Sequence, residues 1–276
     1  MTIFGTIGIF VKYTPIPSSV IAMIRGFSGM LFLLAVMAIC RFNISFNTIR
    51  KKALPLFISG AFIGINWILL FESYRYTTVA TATLCYYMAP VLVILLSPII
   101  LKERLTLKKL ACVAVALAGI VLVSGILQSG GFYVSEIRGV LLGLGAALLY
   151  ATVVLMNKLL SDVPTYERTA IQLGSAAIVI LPYTLLTENF AKLEFTPQTV
   201  ILLLVMGVVH TGVAYALYFD SIGKLPTQTA AIFSYIDPIV AIALSAVLLN
   251  EPMELPAIIG AILILGATFI SELPKK

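Results

Sequence analysis

Residues 71–125, FESYRYTTVATATLCYYMAPVLVILLSPIILKERLTLKKLACVAVALAGIVLVSG, decide the fold because a second copy follows them. Shifted forward by 148 positions, they align with residues 219–273 without a gap. Phe71 falls on Phe219, Ser73 on Ser221, Thr81-Ala82 on Thr229-Ala230, Tyr87 on Tyr235, Pro90 on Pro238 and Glu103 on Glu251. Apolar coincidences carry little weight in so apolar a chain. Tyr-x-x-Pro with a Glu thirteen residues further on, twice in register, is not a product of composition. With a two-residue loop adjustment the match extends upstream, pairing Lys12 with Lys158 and Gly26 with Gly174. Two copies of one helical bundle are a common ground plan of secondary transporters.

Composition sets the environment. Apolar residues make up 61% of the chain and charged residues 11%, against roughly a quarter charged in a soluble domain. The chain reads as ten membrane spans, at about 2–12, 18–40, 54–73, 78–101, 107–127, 138–157, 168–186, 198–219, 226–249 and 255–272. The net charge of +6 is scattered through loops, with no basic stripe and no recognition motif, so nucleic acid is not an expected partner. Cys40, Cys85 and Cys112 include no C-x-x-C pair and read as free thiols. No metal site and no cofactor is expected.

The bases set the orientation. With both termini in the cytoplasm, the inner segments hold 13 of the 18 Lys and Arg residues and the outer loops 4. This follows the positive-inside rule. Because each repeat has an odd number of spans, the second copy enters the membrane upside down. The predicted fold is therefore all-α and integral to the cytoplasmic membrane, with ten transmembrane helices as two inverted five-helix repeats over residues 1–127 and 138–276. The first span is short, since Met1 to Val11 rises only ~16 Å as a helix. It lacks the basic n-region and cleavage site of a signal peptide. A truncated first helix is the expectation, and a native short helix the alternative.

The stretches APVLVILLSPIILKERLT (89–106) and DPIVAIALSAVLLNEPME (237–254), each closing one half, resemble EamA-type members of the drug/metabolite transporter superfamily. The elements of the resemblance are Pro90 and Pro238, Glu103 and Glu251, and the aromatic-small pairs Phe4-Gly5 and Tyr150-Ala151. It implies export or exchange of small metabolites through a central cavity and does not identify the metabolite; alternating access is the expected mechanism, and the aromatic residues nominated below suit an amino-acid-like or an aromatic, cationic compound. The implied partners are a small-molecule substrate and the lipid bilayer, with protons as a candidate coupling ion and a homodimer as a candidate assembly. A passive channel or an intramembrane enzyme is the alternative. No H-E-x-x-H or G-x-S-x-G favours an enzyme, and no Walker-type lysine loop favours ATP-driven pumping.

Polar residues inside spans nominate the cavity. Asp237 lies within the ninth span, where an ionised carboxylate costs ~2.5 kcal/mol or more. It either faces a cavity or bonds a neighbouring helix near Pro238. Helical spacing adds Ser234, and the repeat carries this face to Tyr86. His210, the only histidine, shares a face with Ala214 and Tyr218, whose counterparts include Asn66. It reads equally as a helix-bridging group or a proton carrier. Tyr87, Tyr150 and Tyr235 are secondary members. Arg25, about two turns into the second span, snorkels, bonds carbonyls or binds a substrate carboxylate. Trp67 and Tyr215 correspond across the repeats and read as packing. Gly60-x-x-x-Gly64 and Gly139-x-x-x-Gly143 read as sites of close helix approach.

Overall fold

A computed structural model describes residues 1–42, 44–102, 105–124, 134–222, 233, 235–251 and 253–273. Every regular element among them is helical. In chain order these are α1 (Thr2–Gly5), α2 (Ile7–Lys12), α3 (Ser18–Ile39), α4 (Phe46–Lys51), α5 (Ala53–Tyr76), α6 (Val79–Tyr86) and α7 (Ala89–Ile100). There follow α8 (Leu107–Val123), α9 (Val134–Leu159), α10 (Thr165–Thr187), a 3₁₀ turn at Phe190–Lys192 and α11 (Pro197–Leu204). A π-helical segment (Val205–Val213), α12 (Ala214–Ile222), α13 (Ile236–Leu248) and α14 (Leu255–Glu272) complete them.

Six stretches have the length and apolar composition to cross a membrane: Ser18–Ile39, Ala53–Tyr76, Val79–Ile100, Glu136–Leu159, Thr165–Thr187 and Pro197–Tyr218. Shorter apolar helices cover Thr2–Lys12, Ile236–Leu248 and Leu255–Ser271, and α8 has 17 residues. The first, fifth, ninth and tenth expected spans are therefore shorter than the other six among the described residues. Most of the N-terminal part of the ninth, including Ser234, lies outside those residues.

Local chemistry sets the helix ends. The hydroxyls of Thr78, Thr106 and Thr196 accept from the backbone N–H three residues on, at 3.0, 3.3 and 3.2 Å, and cap α6, α8 and α11. Arg41 has a left-handed backbone (φ 53°) after α3, with Phe42 N–H donating to the Met37 carbonyl and Arg41 N–H to that of Ala38. This is the two-bond Schellman termination. Lys102 and Asn250 share the left-handed conformation, at φ 56° and 51°, and stand 148 positions apart. The helices before them, α7 and α13, coincide under the same shift to within one residue at the start. Both begin at a Tyr-x-x-Pro break, where proline removes a backbone donor. The repeat is thus visible in local backbone geometry.

The chain divides into two compact units. One comprises Met1–Ile9, Leu69–Ala151 and Leu225–Lys276, the other Phe10–Ile68 and Thr152–Lys224. In the first, α8 packs along α14, with a core that includes Leu84, Met88, Val91, Ala116 and Ile264. Gly119 and Gly260 face each other across this pair, and a Cβ on Gly260 would lie 2.6 Å from the Gly119 carbonyl oxygen. In the second, α3 packs against α10 and against the π-helical segment. Gly60 of α5 meets the Gln172 backbone of α10, where a Cβ would come within 2.5 Å of the carbonyl oxygen. Gly64 continues that contact to Ala176, and Gly139 and Gly143 lie against Thr77 and Cys85 of the first unit. Both small-residue motifs therefore sit at close approaches. Beside Gly60, Gln172 donates to Ser59 Oγ (2.6 Å) and Asn157 Oδ1 (2.8 Å), adding a buried polar tie.

Candidate functional site

Each unit holds a polar cluster within its apolar helices. In the first unit, α6 stops at Tyr86 and α7 starts at Ala89, and the turn between them carries Tyr87. The Tyr87 hydroxyl donates to Asp237 Oδ2 at 2.7 Å. Asp237 occupies the first turn of α13, where the helix dipole favours a carboxylate. Its place at a helix start and its bond from Tyr87 both reduce the cost of placing it within a span. Tyr86, offered by the repeat, does not supply this bond; its ring instead lies 5.4 Å from that of Tyr150. Tyr235 packs edge-on against Phe269, at 5.8 Å between centroids.

Glu251 does more than terminate its own helix. Its Oε2 accepts from the Val79 N–H at 2.8 Å and from Ser245 Oγ. It thereby satisfies one of the donors that α6 leaves open at its first turn. Its repeat counterpart, Glu103, lies outside the described residues.

In the second unit, Arg25 is buried (4% exposed) and does not snorkel. Its Nε donates to Thr211 Oγ1 at 3.0 Å, and its guanidinium carbon lies 4.3 Å from the Trp67 ring centroid. That is cation–π geometry. Thr211 in turn donates to the Met206 carbonyl at 3.1 Å, five residues back. His210 Nδ1 is 3.3 Å from the Val205 carbonyl, again five back, and its ring meets Phe10 edge-on at 4.7 Å. Both side-chain bonds follow the register of the π-helical segment they stand on. Such segments recur at functional sites. Asn66 is buried in α5, and Tyr218 is half-buried in α12.

Asp237, Tyr86, Tyr87, Tyr150 and Tyr235 thus belong to one unit, and Arg25, Asn66, His210 and Tyr218 to the other. Sequence reasoning missed Thr211 as the acceptor for Arg25 and Tyr87 as the direct donor to Asp237. Tyr87 had a signal, its coincidence with Tyr235. Thr211 had none, since its repeat counterpart is Ile63. Trp67, expected to pack, does so and also carries the Arg25 guanidinium.

A chain whose described regular elements are all helical, with apolar stretches long enough to cross a membrane and polar clusters among them, is a multi-pass membrane protein of the kind that moves small molecules. The profile of the EamA-like transporter family matches residues 1–125 and 137–273, and the chain belongs to this family. It is 30% identical over 277 residues to "Uncharacterized transporter YxxF" of Bacillus subtilis (strain 168), covering 100% of this chain and 88% of that protein. A transporter of Archaeoglobus fulgidus is 27% identical, covering 98% and 92%. The "Probable amino-acid metabolite efflux pump" of Salmonella typhimurium is 29% identical over 188 residues, covering 64% of this chain and 61% of the pump. A solved crystal structure, 19% identical, shares the fold with a TM-score of 0.69, over 98% of this chain and 92% of that one. Family and relatives point to a transporter of small molecules in a lipid bilayer rather than an enzyme.

Proposed function

We propose that the chain is a secondary transporter of the cytoplasmic membrane that exports or exchanges small amino-acid-like metabolites by alternating access. In this reading it has ten spans in two inverted repeats, residues 1–127 and 138–276, with both termini cytoplasmic. Asn66, Tyr86, His210, Tyr218, Ser234 and Asp237 line a central cavity between the repeats. Arg25, Tyr87, Tyr150 and Tyr235 complete its surroundings. The carrying observation is the pair of charged groups within apolar helices, half-buried Asp237 with its Tyr87 bond and buried Arg25 with its Thr211 bond. Charges within spans are rare and mark substrate or ion paths. The carboxylate of Asp237 suits an ammonium and the guanidinium of Arg25 suits a carboxylate, the two charged groups of an amino acid. The name of the Salmonella relative supports the amino-acid class. Protons are the candidate coupling ion through Asp237 or His210, and a homodimer the candidate assembly.

Flux into proteoliposomes tests the reading against a panel of amino acids, nucleosides and cationic amphiphiles. Saturation, with stimulation by substrate on the opposite side, marks a carrier. Unsaturable flux without that stimulation marks a passive pore and overturns the proposal.

A further inference from the structure

The six-residue helix α4 presents two different sides. On one, Ile49 packs against Leu56, Leu160 and Val163. Neighbouring groups secure this side: Ser45 N–H donates to Glu167 Oε1 at 3.1 Å, and Lys52 Nζ lies 3.7 Å from Asp162 Oδ2. The two acids of the adjoining segment are thus engaged by Ser45 and Lys52. Asn47, Arg50 and Lys51 line an open cleft of about 540 Å³. Among the described residues neither Arg50 nor Lys51 forms an ion pair. Phe46 and Leu54, 71% and 69% exposed, flank the bases. Exposed bases alone would suit any soluble anion. Bases beside exposed apolar side chains, in a chain that crosses a bilayer, suit an anion with acyl chains attached.

We propose that α4 holds the headgroup of an anionic phospholipid, its phosphate on Arg50 and Lys51 with a hydrogen bond from Asn47, and its acyl chains against Phe46 and Leu54. The cleft falls within the roughly 300–1,000 Å³ range of small-molecule sites. The assignment concerns a resident lipid and does not depend on which substrate is transported.

The test is native mass spectrometry of the purified full chain, titrated with phosphatidylglycerol or with phosphatidylcholine of the same acyl chains. Wild type is expected to retain phosphatidylglycerol preferentially. The Arg50→Gln/Lys51→Gln double variant is expected to lose roughly 10- to 30-fold of that retention, two surface bases each contributing about one part of the attraction. Phe46→Ser, with both bases intact, is expected to weaken it as well. Lys108→Gln/Lys109→Gln, altering a different basic segment, leaves it unchanged. Melting temperatures in phosphatidylcholine identify any variant that has lost its fold, and Arg50→Lys then replaces it, with retention expected. Equal retention of the two lipids, or equal losses from the two double variants, overturns the proposal. So does displacement of lipid by millimolar glycerol phosphate with Phe46→Ser behaving as wild type, which makes the site one for a soluble phosphate.

Discussion

Asp237 and Arg25 face the same energetic problem, a charge placed inside a span at ~2.5–3.5 kcal/mol by insertion scales. The protein answers each with a hydroxyl and an aromatic ring system: Tyr87 for Asp237, Thr211 and Trp67 for Arg25. Asp237→Asn keeps shape and removes charge, so proteoliposome flux is expected to fall about tenfold or more, with an unchanged gel-filtration profile. Normal flux at every pH would show that the charge serves only structure and would exclude coupling through it. Tyr87→Phe removes a charge-assisted bond of ~1.5–3 kcal/mol and is expected to lower flux in the same direction. Trp67 is the only tryptophan in the chain, so its fluorescence reports on Arg25 directly. A carboxylate-bearing substrate is expected to shift its emission in wild type and in Arg25→Lys, and not in Arg25→Gln. A shift that survives Arg25→Gln would remove Arg25 from carboxylate recognition. Sequence brought out Asp237, His210 and Arg25 because polar residues stand out against an apolar background. The partners were illegible, because a threonine in an apolar run carries no mark of what donates to it.

The starts of α7 and α13 carry marks in the sequence, a proline and the 148-residue repeat, yet the sequence alone reads 78–101 and 226–249 each as one span. The π-helical segment carries no such mark. Apolar periodicity cannot register one extra residue per turn when nearly every position is apolar. The Glu251 cap on α6 was half legible: the repeat singled out the residue, while its acceptor role depends on a helix more than 170 positions away in sequence. Close packing is the most testable property of the elements. Gly260→Leu places a side chain against the Gly119 backbone, so α8 and α14 must separate. The expected cost is about 1–3 kcal/mol, seen as a lower melting temperature in detergent. Gly266, where an added Cβ would meet nothing within 4 Å, gives the control: Gly266→Ala is expected to be neutral or mildly stabilising. Equal effects of the two changes would remove close helix approach as the reason for glycine at 260.

For the molecule as a whole, orientation is the property most open to measurement. Cysteines introduced at Gln128 and Asn189 are expected to react with impermeant reagents from outside, and those at Lys51 and Lys109 only from the cytoplasm. A reversed pattern would overturn both the orientation and the inverted repeats. Membership of the EamA-like family was legible from two motif-bearing segments, but the division into compact units was not, because it follows contacts between distant parts of the chain. That division bears on how the protein is made. The unit that holds Met1–Ile9 also holds Leu225–Lys276, so two segments more than 200 positions apart must both be made before its packing is complete. The other unit joins Phe10–Ile68 to Thr152–Lys224, so it too stays open until the later segment is made. A nascent chain that ends at residue 127 therefore carries pieces of both units and the whole of neither.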